Sequence, residues 1–184
     1  MIMLCFASCS SCKKEINALP EATQEGKNTG GFLINGQAWI PTGRNTIPSI
    51  RPMSGGYRVA TLYRPKNSVQ LLMYKNDGTS IQLFVRSVDK PGRYPLSFDT
   101  GIDLVQPDTK NFGLYAISGS MLNDPDYNYI TTSIKTGYVN FTVADTLTGS
   151  LAGTFEFDAI DNPSGKTIKI SDGRFDINTI TLNK

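Results

Sequence analysis

The clearest feature of the chain is alternation. In SIQLFVRS (80–87), Ile81, Leu83 and Val85 share one side of an extended strand, and Gln82, Phe84 and Arg86 the other. Such a period of two is that of a β-strand, not of a helix. YVNFTVAD (138–145) repeats the pattern with Val139, Phe141 and Val143, and GTFEFDAI (153–160) with Phe155, Phe157 and Ala159. In the second of these, Thr154, Glu156 and Asp158 are predicted to face outward. Further strands are expected over YRVATLYR (57–64), VQLLMYK (69–75), KPGRYPLS (90–97, an edge strand because of its prolines), FGLYAIS (112–118), YITTSI (129–134), KTIKI (166–170) and RFDINTITL (174–182).

Turn residues punctuate these runs. Asn35-Gly36 inside GFLINGQAWIP (31–41) is a strong hairpin signal, as is Asn76-Asp77-Gly78-Thr79 between two strands. Asp172-Gly173 reads as another hairpin turn, with Gly173 supplying positive φ, and TGRNTIPSIRPMSGG (42–56) reads as a loop. Roughly ten strands, with no sustained helical period, predict an all-β fold: a single antiparallel β-sandwich or barrel-like domain over residues 29–184.

Composition agrees. Of 184 residues, 17 are glycine and 10 proline, and only 18% are charged, as suits a turn-rich β-domain rather than a coiled coil or a disordered chain. The net charge of +2 hides an asymmetry. Seven bases and no acid lie between Gly26 and Asn76 (Lys27, Arg44, Arg51, Arg58, Arg64, Lys66, Lys75); nine acids and two bases lie between Asp99 and Asp161. Either neighbouring strands pair these charges across the sheet, or the first stretch forms a basic face for an anionic partner. Nucleic acid is not that partner, since no basic run, zinc spacing or aromatic–basic motif accompanies the charge. Histidine is absent, which removes Ser–His and Cys–His pairs and histidine metal sites.

All three cysteines, Cys5, Cys9 and Cys12, fall within the first twelve residues. The apolar MIMLCFA followed by Ser8 and Cys9 has the order of a signal-peptide remnant (1–8) ending at a lipidated cysteine. Ala7-Ser8-Cys9 resembles the end of a lipobox, with Phe6 where leucine is usual; Cys12 is the alternative acceptor. The polar run after it reads as a flexible tether through residue 28. The expected address is the cell envelope, held at the outer membrane by lipid, with the side of that membrane left open.

Two longer stretches, ATQEGKNTGGFLINGQAWIP (22–41) and GTFEFDAIDNPSGKTIKISDGRFDI (153–177), resemble the opening and closing motifs of a family of small Bacteroidetes-type lipoproteins with a domain of unknown function. Ser171 stands where that family usually has Thr, and Gly30 where Phe is common. The resemblance implies an envelope lipoprotein and an all-β fold, and no catalytic residue.

Candidate chemistry is sparse. Glu156 and Asp158, two apart on one strand face, could serve as a glycosidase pair, but a solvated strand face has the same pattern. Asp124-Pro125-Asp126-Tyr127-Asn128 begins like a calcium loop but lacks the glycine at position six and the glutamate at position twelve. Trp39, Tyr57, Tyr63, Tyr74, Tyr127 and Tyr129 could form an aromatic platform for sugar rings or could be core; Trp39, beside a turn, is expected to be the most exposed. No G-x-S-x-G elbow or phosphate-cradling loop occurs, and no cofactor is called for. The expectation is a non-enzymatic binding or structural module that takes a glycan, an anionic surface polymer or an envelope protein, with Trp39, Tyr57, Arg58, Tyr63 and Arg64 as candidate contacts. The alternatives are a carbohydrate-active enzyme or its accessory subunit, and an assembly subunit that pairs through a sheet edge.

Overall fold

A computed structural model describes residues 18–60, 66–97, 110–117, 128–161 and 163–182. Eleven strands follow one another: β1 (Thr29–Ile34), β2 (Gln37–Trp39), β3 (Met53–Arg58), β4 (Ser68–Tyr74), β5 (Ser80–Arg86), β6 (Gly92–Leu96), β7 (Phe112–Ala116), β8 (Asn128–Ile130), β9 (Gly137–Ala144), β10 (Ser150–Ile160) and β11 (Thr167–Asn178). One helical turn, α1 (Thr179–Leu182), follows. The strands form one antiparallel sheet in the order β2-β1-β11-β10-β8-β7-β5-β4-β3. Strand β10 gives one edge to β11 throughout and divides the other: Leu151–Phe157 pair with β9, and Ile160 with Ile130 of β8. Beyond β9 lies β6. The sheet therefore branches at β10 and curls into a half-barrel, as the alternating pattern predicted.

Apolar residues from both branches fill the concave side, among them Phe32, Met73, Val85, Val88, Leu96, Val139, Phe155 and Ile177. Phe155 sits in an aromatic group, its ring centroid 5.9 Å from Phe32 and 6.4 Å from Phe175. A smaller cluster of Phe84, Phe112, Leu114 and Ile130 lies apart from this core.

The hairpin at Asn35-Gly36 forms as expected, with both residues at positive φ (50° and 85°), the geometry of a type I′ turn. Three other local expectations are corrected. The strand expected at 57–64 runs over Met53–Arg58 instead; Gly55 and Gly56, which read as loop, pair with Leu71 and Gln70. A Cβ at Gly55 would lie 2.1 Å from the Gln70 carbonyl oxygen, so only glycine permits this approach.

Asp172-Gly173 is not a hairpin. Strand β11 continues through it as a bulge, Ser171 and Asp172 together opposing Glu156. Asp172, not Gly173, carries the positive φ (52°). The extra residue switches parity, so Ile168 and Ile170 before it and Phe175 and Ile177 after it are all buried. Gly173 is small for another reason: a Cβ there would lie 2.6 Å from the Phe155 ring. The expected last strand stops at Asn178, whose Oδ1 accepts the Ile180 N–H to start α1.

The last residues of the expected tether pack on the sheet. Leu19 is buried, and the space above Gly31 is occupied by Leu19 and Pro20. Asp176 lies on the outer face of β11, as alternation required, yet it is buried. Its carboxylate accepts hydrogen bonds from the Thr23 hydroxyl (2.6 Å) and the backbone N–H groups of Glu25, Gly26 and Lys27. Residues 19–27 are therefore part of the folded domain.

Candidate functional site

The sequence-predicted contacts separate. Trp39, expected to be exposed, is buried: it opposes Phe32 across the β1–β2 hairpin, stacks on it at 4.6 Å, and donates from Nε1 to Thr79 Oγ1 at 2.8 Å. It is a core residue. Tyr74 is also buried, and Tyr57 and Tyr129 pack against the core from partly buried positions. Tyr63, Tyr127, Arg64, the remainder of the Asp124–Tyr127 segment, Cys9 and Cys12 lie outside the described residues. Among the described residues no group of acids, cysteines or histidines could hold a metal ion.

Tyr57 and Arg58 do meet at a concavity. A groove of about 520 Å³ runs along the edge of β3, lined by Gly55, Gly56, Tyr57, Arg58 and Val59, with Gln70 and Leu72 beside them and Thr146 and Thr179 completing it. The two glycines let neighbouring chain pack close to β3: a Cβ at Gly55 would meet the Gln70 carbonyl, and one at Gly56 the Thr179 side chain. Arg58 is exposed and donates to Gln70 Oε1. Tyr57 turns the other way, and its hydroxyl is buried with no hydrogen-bond partner among the described residues. Burial, with Asp145 nearby, pushes the phenol up to about 12. No carboxylate lines this groove. Asp145 adjoins it in sequence but accepts from the Leu147 and Thr148 N–H groups and the Thr148 hydroxyl; these bonds hold its pKa below the ordinary value.

Among the described residues, several bases of the Gly26–Asn76 stretch contact neutral groups. Arg44 donates to the Gly78 carbonyl and lies over the Tyr74 ring, Arg51 donates to the Leu182 carbonyl, and Arg58 donates to an amide. Lys27 and Lys75 form ion pairs with Glu25 and Asp77, both close in sequence. Cross-strand opposition of charge occurs elsewhere, at Asp158 and Lys169.

Glu156 and Asp158 occupy the outer face of β10. Two depressions, of about 220 and 300 Å³, share Glu156; one adds Asp158 and Lys169, the other Tyr138, Asp172 and Arg174. The Arg93 guanidinium lies 3.5 Å from the Tyr138 ring centroid, and a hydrogen bond to Glu156 raises the Tyr138 pKa by favouring its neutral form. The sequence reading missed Tyr138 and Arg93. The signal was cross-strand: Arg93 opposes Asn140 and Tyr138 opposes Glu156, a register that one strand alone does not reveal.

No protein-family model, curated protein or solved structure matches the chain.

Proposed function

We propose that this is a lipid-anchored envelope protein whose β-domain binds an extended anionic polymer, such as an acidic glycan, along the β3 groove without cleaving it. The observation that carries the reading is the groove itself. It combines an exposed arginine held by a neutral amide, half-buried glycine backbone and the exposed Thr146, and no carboxylate lines it. Such a lining can hold acidic groups and sugar hydroxyls. It offers neither of the two carboxylates that glycoside hydrolysis ordinarily needs.

The test is binding of the full chain to a polyuronate such as alginate, at low and high ionic strength, beside Arg58→Ala. Binding should weaken with salt, because exposed charges are screened within about 8 Å at 0.15 M, and Arg58→Ala should reduce it severalfold at low salt. Absence of binding at low salt would remove this reading in favour of an assembly subunit. Release of reducing ends, abolished by Glu156→Gln, would establish the enzyme instead. The anchor is tested separately: Cys9→Ala should move the protein from the membrane fraction to the soluble fraction. If Cys12→Ala does so instead, the acceptor is Cys12; if neither does, the lipid anchor is rejected.

A further inference from the structure

Isolated exposed apolar side chains are ordinary on protein surfaces, so their grouping is what matters. Among the described residues Val59, Leu147 and Ile180 are 69%, 91% and 53% exposed, and they gather at one end of the barrel. Val59, Thr146 and Thr179 line the same groove, and Leu147 and Ile180 each directly follow one of those threonines. The β9–β10 turn is joined to α1 by the Thr179 N–H bonding to the Gly149 carbonyl; a Cβ at Gly149 would lie 3.3 Å from Ile180 Cγ1. Arg58 precedes Val59, and the Ala60 N–H donates to Asn67 Oδ1, which brings exposed Lys66 to the same end. Two carboxylates lie near them and keep their charge away from Arg58 and Lys66 in hydrogen bonds of their own, Asp145 within its turn and Asp89 with the Asn67 amide.

We infer that this end of the domain is a membrane-contacting tip: Val59, Leu147 and Ile180 enter the interfacial layer of a bilayer, and Arg58 and Lys66 meet its phosphate headgroups. The inference rests on the lipid-anchor reading for its geometry. With Leu19 fixed on the sheet, the ten peptide units from Cys9 span at most about 35 Å, so the domain cannot stray far from the surface that holds its lipid. Aliphatic tips beside cationic side chains are the chemistry of interfacial binding. The occupant is therefore the bilayer and not a second copy of the chain.

The test is co-sedimentation of the full chain, unlipidated through Cys9→Ser and Cys12→Ser, with vesicles of phosphatidylethanolamine and phosphatidylglycerol. Leu147→Ser with Ile180→Ser should lower vesicle partitioning at least about tenfold, since two aliphatic side chains are no longer withdrawn from water. Ile47→Ser with Ile134→Ser, at exposed positions elsewhere, should leave it unchanged. Equal effects of the two pairs, no effect of either, or no vesicle binding by the parent would each overturn the inference. Alginate binding measured without vesicles reports on the groove alone, so failure of one reading is distinguishable from failure of the other.

Discussion

Two regions of the sheet, its interior at β10 and β11 and its edge at β3, are built on different terms. At β10 and β11, strands of eleven and twelve residues pair along their length, and the bulge at Ser171-Asp172 turns apolar residues on both sides of it into one core. At β3, a six-residue edge strand carries two adjacent glycines, a phenol buried without a described partner and an exposed arginine. The first region spends its sequence on packing, where almost any change costs stability. The second keeps an exposed charge beside close-packed glycines, and changes to its exposed side chains should alter binding more than folding. The difference separates scaffold from surface without reference to any relative.

The largest expected effect lies in the scaffold. Phe155→Ala should destabilise the domain by about 3–5 kcal/mol, because it empties the centre of the aromatic group and Gly173 has no side chain to fill the space. Chemical denaturation monitored by circular dichroism measures this. A loss below about 1 kcal/mol would show that the core collapses around the site and that the contrast with β3 is overstated.

Next comes Asp176→Asn, with an expected cost of about 2–3 kcal/mol. The carboxylate accepts four hydrogen bonds, three from backbone N–H groups, and an amide cannot accept them all. Burial alone would raise its pKa, but these bonds outweigh burial and hold it below the ordinary value. Its unfolded value is near 3.9, so the contribution is complete above that pH and disappears as pH falls through the lower, folded value. Wild type should therefore lose stability in acid more steeply than Asp176→Asn, and the two curves should converge. Parallel curves would show that the latch on residues 23–27 does not depend on charge.

These two residues also show what was legible in the sequence. Phe155 could be placed in the core from alternation alone. Asp176 could be placed on the outer face by the same rule, but not beneath residues 23–27, because a contact spanning some 150 positions leaves no periodic trace. Strand β3 was misplaced because Gly55 and Gly56 have no side chains to alternate, whereas the run from Tyr57 does alternate. Trp39 was misjudged because a turn and a proline beside it suggested exposure, while its cross-strand partner Phe32 carried it inward. Candidate site residues Tyr57 and Arg58 were legible as a mixed basic–aromatic pair; the groove beside them was not, because Thr146 and Thr179 reach it from the β9–β10 turn and from α1.

At the surface the expected order reverses. Arg58→Ala should lower stability by only about 1 kcal/mol: Arg58 is itself exposed, and the cost is the donor lost by the buried Gln70 at the rim of an open groove. It should nonetheless lower alginate affinity severalfold at low salt. A destabilisation as large as that of Asp176→Asn would place Arg58 in the scaffold and remove it from the proposed site.

The smallest effect is the most discriminating. Tyr57→Phe deletes a hydroxyl that is buried without a described partner, so stability should be unchanged or rise by about 1 kcal/mol, as unsatisfied polar atoms are costly to bury. The phenol is raised to about 12 from an ordinary value near 10. The folded state therefore favours the neutral form, and that contribution is intact below pH 10 and lost as pH rises through about 12. Tyr74, Tyr115 and Tyr138 are raised as well, so ultraviolet titration of the folded chain should show late-ionising tyrosine absorbance that Tyr57→Phe lowers by the equivalent of one tyrosine. If the variant loses several kcal/mol, the hydroxyl is bonded and Tyr57 belongs with the scaffold. If stability holds but alginate binding falls, the hydroxyl turns to the ligand on binding and the groove is more plastic than its unliganded geometry. If neither changes, Tyr57 supports β3 from the core side and Arg58 alone recognises the polymer.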